Sequence, residues 1–224
     1  MKKQKQLPIL LLILLLFTSC SAFSEEPTNL GLQKLELERY FDSGRYESDI
    51  ATKVSEAKYY LQFRLTQNAR LKYPKKLAIV LDIDETSLSN YDDIKRFQFG
   101  GTPEEIEAAA DDGHDPVIEG TLTLFNYAKS HDIAIFFVSG RKQFDRKITE
   151  KNLHDAGYNN WDGLFLEADT YHKASAIPFK TAARKKIIEM GYDIVLNMGD
   201  QYSDLKGGYA DMTIKLPNPF YYLS

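Results

Sequence analysis

The sequence holds one cysteine, Cys20, near the start of the chain. A disulfide framework is thereby excluded, and the domain must rest on a packed core. Histidine is also scarce. His114, His131, His154 and His172 show no H-x-x-x-H or similar spacing, so they read as surface or packing residues and give no zinc site or histidine phosphatase. Basic charge is not in excess: 28 Lys and Arg face 32 Asp and Glu, for a net charge of −4. That balance argues against a nucleic-acid polymer or an anionic membrane as partner. No internal repeat or low-complexity tract is present. With 43% apolar and 27% charged residues the composition is that of a globular protein, and 224 residues suffice for one full domain.

The one long apolar run is "LPILLLILLLF" at residues 7–17, preceded by Lys2, Lys3 and Lys5. A basic segment followed by an apolar run of this length reads as a signal peptide, too short for a comfortable membrane span. Residues 17–20, "FTSC", resemble a bacterial lipobox, with Phe17 in place of the usual Leu. On that reading residues 1–19 are removed and Cys20 carries lipid, which places the protein in the periplasm or at the outer membrane. Ordinary secretion with cleavage near residues 19–22 is the alternative, and an uncleaved anchor a further one. Residues 20–29 read as a tether.

Residues 30–41 and 45–71 carry helical periodicity, the second through Ile50, Val54, Ala57, Leu61 and Leu65. Gly44 separates them and Pro74 closes the second. From Leu77 onward strands and helices alternate. The expected strands are 77–82, 133–138, 163–167, 193–198 and 212–216. The expected helices lie near 118–130, 142–155 and 179–190. This alternation predicts an α/β domain with a mostly parallel sheet. Residues 88–117 are long for a strand-to-helix connection and read as a small cap insertion over the sheet end, with a short helix at 103–110.

In open parallel sheets ligands bind outside the carboxyl ends of the strands. Those ends carry chemistry here. The run "LAIVLDIDETSLSN" drives an apolar strand into Asp82, Asp84 and Thr86. The second strand ends in Ser139, Gly140 and Arg141, and the fourth in "NMGDQYSDL", with Asp200 and Asp204. Lys180 sits near a helix start. Buried carboxylates repel and lose hydration, so their crowding calls for a cation, most plausibly Mg²⁺ with oxygen ligands. Ser139 and the N–H groups after it suit phosphoryl oxygens, and Lys180 suits phosphate charge. Each element alone has a plainer reading: D-x-D as a turn or calcium loop, "SGR" as a helix start, the Lys as a solvated charge. Their joint occurrence at strand ends argues for phosphoryl chemistry.

At these residues the sequence resembles the haloacid dehalogenase-like (HAD) phosphatases, whose D-x-D-x-T motif matches Asp82, Asp84 and Thr86. It is more closely similar to the class B-type acid phosphatases of subfamily IIIB, bacterial and plant, together with the plant vegetative storage proteins. "LDIDETSLSN", "SGR", "NLHDAGYNNWDGL", "FKTAARKKI", "GDQYSDL" and "KLPNPFYY" carry this resemblance over about residues 75–224. It implies a Rossmann-like parallel sheet in the order 5-4-1-2-3. It implies Asp82 as nucleophile and Mg²⁺ ligand, and Asp84 as general acid/base and ligand through its carbonyl. Ser139, Gly140 and Lys180 would hold the phosphate. Asp200 would complete the metal site, with Asp204 behind it or on a metal-bound water. Burial beside the insertion is expected to raise the pKa of Asp84. Some storage members lack the nucleophile; this chain keeps Asp82.

The expected function is therefore an exported, Mg²⁺-dependent phosphomonoesterase acting through an aspartyl-phosphate. Nucleoside monophosphates are suggested by Tyr91, Phe97 and Phe99 in the insertion, which are placed to stack on a base or to form a small core of their own. A phosphate-binding receiver-like module and a non-catalytic surface lipoprotein are the competing readings. Trp161 is expected to pack the loop before the third strand, and the C-terminal "LPNPFYYLS" to pack at the sheet edge or close a pocket.

Overall fold

The computed structural model describes residues 26–102, 113–171 and 175–223. The leader, Cys20, the helix expected at 103–110 and His172 lie outside them. Helix α1 (Leu30–Asp42) starts at Asn29, whose side chain accepts the Gly31 and Leu32 N–H groups. Gly44, in the left-handed region at φ 78°, turns the chain into α2 (Arg45–Asn68). That helix stops at Asn68, three residues short of expectation. Asn68 brackets Lys75, accepting its N–H and donating to its carbonyl, and this carries the chain into the sheet.

Five strands follow: β1 (Lys76–Leu81), β2 (Ala134–Lys142), β3 (Gly163–Glu167), β4 (Tyr192–Gly199) and β5 (Met212–Lys215). All neighbours are parallel, in the order β3-β2-β1-β4-β5. This is the expected order, with β1 central and the ends of β2 and β4 on either side of it. The connecting helices are α4 (Glu119–Lys129), α5 (Arg146–Asp155) and α6 (Ile177–Glu189). Strand residues alternate between two cores. Ile79, Leu81, Ile135, Phe137 and Val195 share one with Leu61 of α2 and Phe125 of α4. Ala78, Val80, Phe136 and Val138 share the other with Ala183 and Ile187 of α6.

The insertion after β1 opens with a short helix, α3 (Tyr91–Arg96). Its ends are zipped together: Ser89 N–H donates to the Pro116 carbonyl, and Ile118 N–H to that of Ser87. Of the two roles open to the insertion aromatics, Tyr91 and Phe99 take the packing one. Tyr91 is buried, stacks on Phe41 at 3.5 Å between centroids, and meets Phe220 at 5.3 Å. Phe99 packs on Tyr91 and Phe220 at 6.5 and 6.2 Å. Tyr91 and Phe99 therefore help weld α1, the insertion and the C-terminal segment into one aromatic cluster, and do not stand free for a base. Phe97 is half-buried under the Arg96 guanidinium, 4.8 Å from its ring centroid. Trp161 packs edge-on against Phe137 at 5.7 Å, as expected for the residue leading into β3. Beyond β5, residues 217–223 return across the carboxyl ends of β4 and β1.

Candidate active site

β1 carries Asp82 to the centre of the carboxyl edge, where the sheet is buried on both faces. Its N–H is taken by the Met198 carbonyl of β4, and its carbonyl by the Ser87 hydroxyl at 2.7 Å. β4 ends at Gly199, followed by Asp200 and the short helix α7 (Tyr202–Leu205) with Asp204. A Cβ on Gly199 would come within 2.4 Å of Asp204, so only glycine lets that carboxylate fold back over the strand end. Asp82, Asp200 and Asp204 are all buried and offer carboxylate oxygens within 4.8 Å of one another.

Lys180, in the first turn of α6, is buried against this cluster. Its Nζ donates to Asp82 Oδ1 at 2.7 Å and to Asp204 Oδ1 at 2.5 Å. The other Asp204 oxygen accepts the Gln201 N–H at 2.7 Å in a capping box that starts α7. Three buried acids thus face one ammonium. Burial and the neighbouring Asp204 carboxylate push Asp82 well above the usual carboxylate range against the pull of Lys180, and push Asp200 up to about 6. Lys180 is held charged by its two acids despite its burial.

Ser139, three residues before the end of β2, is fully buried, and its Oγ accepts the Arg141 N–H at 3.1 Å. Gly140 is exposed beside it, with nothing within 4 Å of the position a Cβ would take. Asp84 departs from expectation. Its side chain stands apart from the three-acid cluster and is gripped by Arg141, through Nε at 3.1 and 3.2 Å and Nη2 at 2.6 Å, with Asn90 Nδ2 on Oδ1 at 3.0 Å. Burial raises its pKa, but the guanidinium and these hydrogen bonds outweigh it and hold the carboxyl below its ordinary value. The raised pKa falls instead on its neighbour. Glu85, fully buried, is pushed up to about 8 by burial and by the Asp200 and Asp84 charges. It accepts Asn90 N–H at 2.6 Å and the Tyr221 hydroxyl.

A family model for the HAD superfamily, subfamily IIIB (acid phosphatase), matches residues 27–224. The chain belongs to this family of acid phosphatases. It is 36% identical over 192 residues to the Stem 28 kDa glycoprotein of Glycine max, covering 82% of this chain and 72% of that one. It is 32% identical over 148 residues to Acid phosphatase 1 of Solanum lycopersicum, covering 64% of this chain and 58% of the tomato protein. The class C acid phosphatase of Bacillus anthracis shares the fold, with a TM-score of 0.71, 22% identity and 86% of each chain aligned.

Several residues of this acid phosphatase site were not singled out from sequence. Asp115, on the return of the insertion, accepts Arg141 Nη2 at 2.9 Å and is tied to α5 by reciprocal bonds with Asn152. Arg184 of α6 is fully buried and donates to the carbonyls of Asp204, Lys206 and Gly208, fixing the turn after α7. Asn197 Nδ2 adds a second bond to the Asp204 carbonyl at 2.9 Å. Glu85, Asn218 and Tyr221 complete the set. Glu85 carried a signal as an acid beside the D-x-D, and Arg184, Asn218 and Tyr221 lay inside motifs that carried the family resemblance without a role of their own.

Proposed function

We propose that this acid phosphatase is an exported, Mg²⁺-dependent phosphomonoesterase that forms an aspartyl-phosphate on Asp82. The observation that carries this reading is the juxtaposition of Asp82, Asp200 and Asp204 around Lys180, outside the carboxyl ends of β1 and β4. The donor set fits a hard cation: three buried carboxylates, one ammonium and, among the described residues, no sulfur or imidazole ligand. Asp82 and Asp200 would hold it with the Asp84 carbonyl. Asp204 stands behind them, since its oxygens already face Lys180 and the Gln201 N–H. Bound Mg²⁺ would neutralise the crowded acids and draw charge from the phosphoryl oxygens.

The chain's own groups then divide the chemistry. An Asp82 oxygen attacks phosphorus while the bond to the ester oxygen breaks. Lys180 holds that carboxylate in place and balances the phosphoryl charge. Ser139 Oγ and the N–H groups around Gly140 receive phosphoryl oxygens. Asp84 gives a proton to the departing alkoxide, then takes one from the water that attacks phosphorus and frees Asp82. In the resting arrangement Arg141 keeps Asp84 ionised. An arriving phosphate dianion competes for the same guanidinium, and with Arg141 drawn away Asp84 takes up from solvent the proton it must donate. The substrate class is a small phosphomonoester; the insertion's Tyr91 and Phe99 offer no free ring to a base.

The deciding experiment is hydrolysis of an aryl phosphate by the purified protein with Mg²⁺, with chelator, and with Mg²⁺ restored. Turnover that tracks the cation supports the reading; turnover indifferent to chelator overturns its metal part, and none under any condition overturns enzymatic function. Export rests on the leader of residues 2–17, and relatives named as glycoproteins are in keeping with it. Lipid attachment at Cys20 predicts incorporation of labelled fatty acid that Cys20→Ser abolishes. A wild-type chain that takes up no label leaves simple secretion.

A further inference from the structure

The C-terminal residues 217–223 follow the last strand and were expected to do no more than pack at its edge or close a pocket. Their polar atoms are instead spent on the acid cluster. Asp200 Oδ2 accepts two amide donors, Asn218 Nδ2 and Gln201 Nε2, each at 2.7 Å. A side-chain amide can face either way, but here the tail's backbone fixes both. Asn218 Oδ1 accepts the Phe220 N–H at 2.9 Å, so its NH₂ end must point to Asp200. Gln201 Oε1 accepts the Leu223 N–H at 3.1 Å, so its NH₂ end must do the same. Among the described residues, Oδ1 of Asp200 takes only the Thr86 hydroxyl, at 3.3 Å.

The tail is itself anchored. Phe220 is buried among Tyr46, Tyr91 and Phe41, at 5.4, 5.3 and 6.2 Å. One residue on, the Tyr221 hydroxyl donates to Glu85, inside the loop that carries Asp82 and Asp84. Glu85 has φ 49°, a conformation that side chains other than glycine adopt only when their surroundings hold them there. The same short segment therefore grips both halves of the cluster.

We propose that residues 217–223 form a strap that orients the Asp200 carboxylate for its cation, with Asn218 as the positioning residue. The two amides occupy Oδ2 and leave Oδ1 for the cation. This rests on the metal reading above. Loss of a group that holds a metal ligand from behind typically costs about 10–100-fold in metal affinity.

The test is calorimetric titration of Mg²⁺ alone, without substrate, into wild type, Asn218→Leu and Asn218→Ser. Leu fills the same space without a donor. Ser keeps an oxygen for the Phe220 N–H but cannot reach Asp200, and guards against a Leu variant that fails to fold. Both should bind Mg²⁺ about tenfold or more weakly, while unfolding in chelator within a few degrees of wild type. Wild-type affinity in the folded variants overturns the strap and leaves the metal reading intact. A wild-type protein that binds no Mg²⁺ overturns the metal reading and the strap with it.

Discussion

Arg141 and Asp84 form a forked ion pair, with Nη2 2.6 Å from Oδ1 and Nε within 3.2 Å of both oxygens. The same Nη2 reaches Asp115 at 2.9 Å, so one cation serves two acids, of which Asp115 is the more deeply buried. Arg141→Ala leaves both without their cation, Asp84 keeping only Asn90 Nδ2 among the described residues, and should cost about 2–3 kcal/mol in urea unfolding, somewhat under the usual figure for a fully buried pair. Adding Asp115→Asn should recover part of that loss. Equal stability of the single and double variants would show that Arg141 acts on Asp84 alone.

Asp82→Asn should abolish turnover of any phosphomonoester, because an amide oxygen cannot form the acyl phosphate. The fold should survive. Lys180 keeps Asp204, and a carboxylate already disfavoured by its neighbours is removed. Initial rates and a thermal melt on the same preparation check both halves. Residual activity within about tenfold of wild type, a barrier change near 1.4 kcal/mol, would rule out the covalent route.

The elevated pKa values give the metal-free protein a definite pH response. Asp200 near 6 and Glu85 near 8 hold protons in the folded state that they lose near pH 4 when unfolded. The folded state therefore binds more protons through this window, and stability is lost as pH rises through it, by up to about 1.4 kcal/mol per pH unit for each group. The opposite contribution of Asp84, whose pKa is lowered, is lost only as pH falls below about 4. In chelator the unfolding midpoint should drop from pH 5 to pH 8, and Mg²⁺ should restore more of it at pH 8. A midpoint in chelator that climbs over this range would contradict the burial of these acids.

Phe99→Ala should behave as a packing change. Its ring lies between Tyr91 and Phe220, partly buried, so the loss should be about 2 kcal/mol of stability. kcat/KM for a nucleoside monophosphate and for a small aryl phosphate should fall by the same factor. A loss confined to the nucleotide would return the base-stacking role to the insertion.

The sheet and the acid cluster were legible because both are written locally. An apolar run that ends in D-x-D marks a strand tip, and G-D after a second such run marks another. Once β1 and β4 are neighbours, Asp82 and Asp200 must meet. What stayed hidden is non-local and carries no period. Asn218 bonds Asp200, Tyr221 bonds Glu85, and Asp115 reaches Arg141 across long separations in sequence, and nothing in the composition of either partner announces the other. The insertion's aromatics stayed open between two roles for a related reason. Residue type alone does not tell a ring facing a ligand from one facing Phe41 and Phe220, and the tail that supplies Phe220 is more than a hundred residues away. Asp84 was misjudged because its burial was foreseen without the guanidinium that opposes it.

Asp204 divides its two oxygens between unlike duties. One takes Lys180, and the other closes the first turn of α7 on the Gln201 N–H. That amide proton is therefore a built-in reporter. Its exchange with solvent is slowed while the carboxylate accepts it. Whatever recruits Lys180 or reshapes the cluster will register at a backbone position that takes no part in the chemistry, where hydrogen exchange can follow the site through binding without a substrate label.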